Sequence, residues 1–230
     1  MGNGLAWASH SDSFMAVMSH QPDAPTGSLE AESLLGEVQS LAEEAGGPPW
    51  FVSNRPSKGV AESVEALSHH LHHYLTETLS RQEWPVIVRA RTLTQEGKHQ
   101  DVVQLDQEWG LKAHQNPFSE ASFRVGRRQL SKLRGLRQER VIHHYWKAIE
   151  KGTAQGWHPV VFGVVLGVYH LPLRTGLIQF ASHSLEGMVT SAERIGRLPA
   201  KACQTTLDLA ITQLPQLLPP LPNPGEWRCV

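Results

Sequence analysis

From Val60 onward apolar residues recur at three- and four-residue steps. Val60, Val64, Leu67, Leu71, Leu75 and Leu79 fall on one face of a helix. Trp84 to Ala90 carries β-like residues (Val86, Ile87, Val88), but in a chain patterned for helices it reads as a helix started at Pro85. Pro117-Phe118-Ser119 opens the next helix. There Ser119 caps the exposed N–H groups, Phe118 packs on Phe123, and Leu130, Leu133 and Leu136 continue the apolar face. Val141 to Ile149 extends the helical region up to Gly152. Residues 158–170 form an apolar helix in which Gly163 and Gly167 suit close packing. Gly176 to Ile195 is amphipathic through Ile178, Ala181, Leu185, Met188, Ala192 and Ile195. Ala202 to Leu214 closes the series. The pattern predicts an all-α fold, one helical-bundle domain.

The flanks lack this period. Residues 1–30 are rich in Gly, Ser, His and Pro and read as irregular. Leu34 to Ala45 predicts a short helix, broken by Gly46-Gly47-Pro48-Pro49, and Trp50 to Gly59 a connecting loop. Five prolines from Pro215 to Pro224 predict an end to regular structure and an extended, mobile tail. The expected division is 1–59, an irregular or partly helical acidic N-terminal region; 60–214, the helical domain; and 215–230, the Pro-rich tail.

An apolar content of 40% over 230 residues is enough for a core. Cys203 and Cys229 make no disulfide framework, which fits a reducing compartment. No basic-then-apolar leader opens the chain, and the most apolar window, Val160 to Val168, is far shorter than the roughly 20 residues of a membrane span. A soluble, cytoplasmic protein is expected. The net charge is −1 but unevenly spread. Residues 1–54 hold seven acids and no Lys or Arg, while residues 124–140 hold seven bases and one acid. Such asymmetry permits a charge match within or between molecules.

Candidate chemistry is sparse. In His69-His70-Leu71-His72-His73, His69 and His73 sit one turn apart, opposite the buried stripe, and such a pair can hold Ni, Cu or Zn. A metal site needs further ligands, and no Glu or Cys is placed nearby, so a solvated polar face is the plainer reading. His143, His144, His158, His170 and His183 read as capping or packing residues, and Cys203 as a small buried hydrophobe. The basic stretch 124–140 reads as a solvated or protein-binding face. Aromatic residues are not interleaved for base stacking, so nucleic acid is not expected. No Walker loop, dinucleotide fingerprint or Gly-x-Ser-x-Gly elbow is present, and no nucleophile arrangement is suggested by spacing. The chain reads as a non-enzyme.

Two blocks carry a family resemblance. Glu120-Ala121-Ser122-Phe123-Arg124-Val125-Gly126-Arg127-Arg128-Gln129-Leu130 is similar to a Glu-Ala-Ser-x-x-x-Gly-Arg-x-Leu-Leu helix. His158-Pro159 and Phe162-Gly163, then Ser191-Ala192, Arg194, Gly196, Leu198 and Gln204, resemble a Ser-Ala-x-x-Arg-Leu-Gly-Pro-Leu-Gly-Gln-like turn with its flanking helices. Both belong to the pattern of the urease accessory protein F (UreF) family, and the resemblance covers roughly 60–214. Arg197, Pro199, Ala200 and Cys203 stand where that family has Pro, Gly, Gln and Gly. Of the family's N-terminal signature only Pro25-Thr26-Gly27-Ser28-Leu29-Glu30 is present.

The resemblance implies an all-α, dimeric co-chaperone rather than an enzyme. Its implied partners are a UreD/UreH-type accessory protein, a UreG-type GTPase and apo-urease, with no nucleic acid and no membrane. Its implied role is to regulate GTP-dependent nickel insertion into urease. No cofactor is bound tightly, and nickel passes in transit. Gly126, Arg127, Arg194, Gly196, Leu198 and Gln204 are the implied partner-binding positions. The alternatives are a direct nickel or zinc carrier through His69–His73, and a helical module for an acidic partner.

Overall fold

The computed structural model describes residues 62–113, 119–133 and 139–219. The expected N-terminal helix and loop, the Phe118 contact and the far end of the tail lie outside these residues. Within them every regular element is helical: α1 (Val64–His73), a π-helical segment (Tyr74–Glu83), α2 (Trp84–Gln95), α3 (His99–Ala113), α4 (Ser119–Lys132), α5 (Arg140–Glu150), α6 (His158–Val168), α7 (Leu173–Gly196) and α8 (Ala200–Leu217). No described helix is long and apolar enough to cross a membrane.

The first three elements form one unbroken rod. Ser63 starts it, its hydroxyl accepting the Ala66 N–H at 3.1 Å. Leu67, Leu71, Leu75 and Leu79 are all buried, as their spacing predicts. The bonding then widens: the Trp84 N–H reaches back five residues to the Leu79 carbonyl. Pro85 follows at once. In a continuous α-helix its ring would press on the carbonyl four residues back. The wider turn before it lets the rod continue, so the Trp84–Ala90 stretch is helix despite its β-like residues.

Helix α6 is the centre of the bundle. Every residue from His158 to Gly167 is buried, as expected of a segment apolar all round. It packs most extensively on α2, with α4 also packed against it. Gly163 and Gly167 make the α2 contact possible. A Cβ at Gly163 would lie 2.5 Å from the Ile87 carbonyl oxygen and 2.6 Å from the Ala90 Cβ, and one at Gly167 would lie 2.7 Å from the Thr94 Cβ. Two small pairs, one turn apart on each helix, therefore set the spacing of the core. On the other side α7 pairs with α8, and α8 reaches α1. The Trp84 indole N–H donates to the Leu177 carbonyl at 3.1 Å, tying α2 to α7.

Three features depart from the sequence pattern. Helix α3 has no counterpart in the expected series, because its apolar positions (Val102, Leu105, Trp109) are diluted by polar residues. Helix α7 spans Leu173–Gly196, and it buries polar residues (Gln179, Ser182, Ser184, Ser191) beside its apolar ones, so it is not one-sided. Helix α8 continues through Pro215 to Leu217. Pro215 gives up its bond to the Ile211 carbonyl and crowds it, yet only two helical residues follow, so the helix passes the expected boundary at 214 by three residues.

Candidate partner-binding surface

The first motif block lies on α4 and acts on the start of α6. Gly126 faces the backbone of Gly156, Trp157 and His158. A Cβ there would overlap the Gly156 carbonyl oxygen and sit 2.6 Å from the His158 nitrogen. Arg127, next in the chain, donates from Nε to the Gln155 carbonyl at 3.0 Å, and its guanidinium lies 4.7 Å from the Phe123 ring centroid. Phe123 in turn meets Trp157 edge-on. Glycine, arginine and aromatic together hold the 154–157 loop from one side.

Asp106 of α3 holds the same loop from within. It is fully buried, and its carboxylate accepts the N–H of Gln155 at 2.6 Å and those of Gly156 and Trp157 at 3.0 Å. The buried Tyr145 hydroxyl donates to it at 2.5 Å. Its burial and this carboxylate push the tyrosine well above its usual range. A carboxylate at the entry to α6 meets free N–H groups and the positive end of the helix, which compensates its desolvation. His158, the first residue of α6, is packed between Phe162 and Phe180. Burial first, and His183 second, push its imidazole down to about 3, so it stays neutral.

The second block lies at the α7–α8 turn. Gly196 ends α7 and is half-buried, and Arg197 takes a left-handed conformation (φ 52°). Leu198 is half-buried against the core, and Pro199 begins α8, its carbonyl accepting the Ala202 and Cys203 N–H groups at 3.0 Å. Gln204 is half-buried and donates to Asp208 at 2.8 Å. Cys203 is fully buried, which matches the reading of it as a small hydrophobe. The Arg194 side chain lies outside the described set.

The α4 block meets the His158 end of the second block on α6, whereas the α7–α8 turn has other neighbours, α8 packing on α7 and α1. Of the carried-over positions, Gly126 is an internal packing residue. Arg127 is exposed on α4, while Gly196, Leu198 and Gln204 mark the surface turn. His69 and His73 are both exposed on α1. Among the described residues no group of three or more His, Cys, Asp and Glu is arranged to hold a metal ion. His144 stacks on His99 with ring centroids 3.9 Å apart, a packing contact.

The family model for UreF matches residues 61–209, which includes both blocks. The chain belongs to the UreF family. It is therefore a urease accessory protein, from a family of accessory rather than catalytic proteins. No curated protein matches it.

Asp106 and Tyr145 were not among the expected site residues. A sequence signal exists for Asp106: it sits on the core face marked by Val102, Leu105 and Trp109, where an acid is out of place.

Proposed function

We propose that this UreF-family chain is a co-chaperone of urease maturation. It joins a UreD/UreH-type accessory protein and a UreG-type GTPase, and it regulates GTP-dependent nickel insertion into apo-urease. The carrying observation is the UreF match over 61–209, which spans both motif blocks. Physical support comes from the Gly126–Arg127–Asp106 clamp, which braces the start of α6, and from Leu198, which seats the α7–α8 turn on the core. Surfaces held this way bind with little ordering cost. The active form is a homodimer working in the cytoplasm, and nickel is cargo.

The test is co-expression with a UreD/UreH-type and a UreG-type protein, followed by size-exclusion chromatography. Co-elution of all three supports the reading. A folded chain that elutes apart from both folded partners overturns it. A second reading rests on exposed His69 and His73, one turn apart on α1, as transit ligands for nickel. Calorimetry should then show stoichiometric nickel binding that His69→Ala with His73→Ala removes. No binding by the parent chain overturns it.

A further inference from the structure

The outward face of α4 is basic. Arg124, Arg127 and Arg128 are exposed and Lys132 is half-buried, at three- and four-residue spacings that make them neighbours. The inward face is fixed by buried Val125, Gly126, Gln129, Leu130 and Leu133, so the basic face cannot roll inward. The helix holds one acid, Glu120, in its first turn. A cluster of four bases on one face creates a positive potential that attracts acidic chains.

The same chain carries an acidic segment. Residues 1–54 hold Asp12, Asp23, Glu30, Glu32, Glu37, Glu43 and Glu44 and no Lys or Arg. We infer that this acidic segment docks in cis on the outward face of α4 and competes there with other acidic ligands. Reach is not limiting, since each residue of extended chain spans about 3.3 Å. Tethering supplies an effective concentration on the order of millimolar, enough for contacts between exposed charges that are individually weak. Such a contact is exchangeable and weakens with salt. The inference goes beyond the proposed function and does not rest on it.

Zero-length carbodiimide cross-linking of the full chain tests it, because the reagent joins only carboxylates and amines already in contact. Arg128→Lys keeps the charge and adds an amine beside Lys132. At roughly 0.05 M salt, mass spectrometry should find position 128 or 132 joined to an acid within 1–54, in a monomer-sized product. The yield should fall about tenfold at roughly 0.5 M salt. It should fall equally when Arg124→Glu is combined with Arg128→Lys, and when Glu30, Glu32, Glu37, Glu43 and Glu44 are all replaced by Gln in the Arg128→Lys background. The second combination leaves the described bundle otherwise untouched, so it holds the test even if the first misfolds. Products of dimer size alone would assign the face to a second copy and overturn the in-cis contact. No link to residues 1–54, or a yield indifferent to salt and both combinations, would also overturn it.

Discussion

The Tyr74 hydroxyl donates to the Glu83 carboxyl at 2.6 Å, between the first and last residues of the π-helical segment. At about 3.6 residues per turn, nine residues are two and a half turns, and the side chains would point oppositely. The wider i→i−5 bonding brings them to one side. Both are buried. Burial, then Glu83, pushes the tyrosine well above its usual range, so it remains the donor. Burial raises Glu83 from 4.5 to about 7. Between those values the folded chain keeps a proton that the unfolded chain has released. Stability therefore falls as pH rises through this window, by about 3 kcal/mol at most. Glu83→Gln keeps an acceptor for Tyr74 and removes the titration. Urea unfolding at about pH 5.5 and about pH 8 should show the variant gaining on the parent at the higher pH. Equal slopes in the two proteins would refute the assignment.

His158 acts with the opposite sign. Its imidazole is lowered from 6.5 to about 3 by burial first and by His183 second. Between those values the unfolded chain binds a proton that the folded chain lacks, so stability falls as pH drops below 6.5. The two buried groups oppose each other over the shared range, which reduces the parent's slope there, while His70 and His144, also lowered by burial first, add to the His158 sign. In His158→Gln the remaining Glu83 slope should appear, with stability decreasing as pH rises. In Glu83→Gln the His158 slope should appear, with stability increasing. Chemical denaturation across about pH 4.5 to 6.5 checks both. A variant pair with the same slope would show that neither group governs the range.

How far the fold could be read depends on where each signal lives. The α1 stripe, the apolar α6 and the closing helix were legible because packing follows local periodicity. The π segment was written more faintly. Leu67, Leu71, Leu75 and Leu79 keep a strict four-residue step, which in a pure α-helix drifts about 40° each time. All four stay buried because the bonding widens midway. Asp106 itself stands out as an acid on the core face of α3, but its partners were not legible, since its carboxylate meets backbone N–H groups 49 to 51 residues away that no side chain advertises. Gly126 and Arg127 stood out as family positions, but only the packing shows that the glycine works inward, on the start of α6.

Gly126→Ala should be among the costliest single changes. Its methyl would overlap the Gly156 carbonyl and crowd the His158 nitrogen at 2.6 Å and the Trp157 carbonyl carbon at 2.8 Å. These are backbone atoms that Asp106 and Arg127 hold in place, so they cannot retreat. A loss of about 3 kcal/mol is expected. Gly97→Ala is the comparison. Its position has φ 72° but open space within 4 Å, so only conformational strain of about 1 kcal/mol applies. Thermal melts rank the two. A Gly126→Ala chain as stable as Gly97→Ala would mean that α4 can shift away from the loop.

Asp106 and Tyr145 should behave as one unit. Asp106→Asn preserves shape, but backbone N–H groups meet both carboxylate oxygens, so in either orientation its amide nitrogen would confront one, and the charge-assisted bonds are lost. About 3 kcal/mol of stability should go with it. Tyr145→Phe removes one donor and should cost about 1 kcal/mol. Because both changes damage the same buried network, the double variant should lose less than the sum, with a coupling of at least about 1 kcal/mol. Hydrogen exchange adds a local readout, since the amides of Gln155, Gly156 and Trp157 should exchange faster in Asp106→Asn than the overall loss of stability explains. The entry to α6 would then be loosened while the remaining helices stay packed, and any partner that relies on the Arg127 face should bind more weakly at temperatures where the fold survives. Strict additivity of the two substitutions, with unchanged exchange at these three amides, would show that the loop is held by α4 alone.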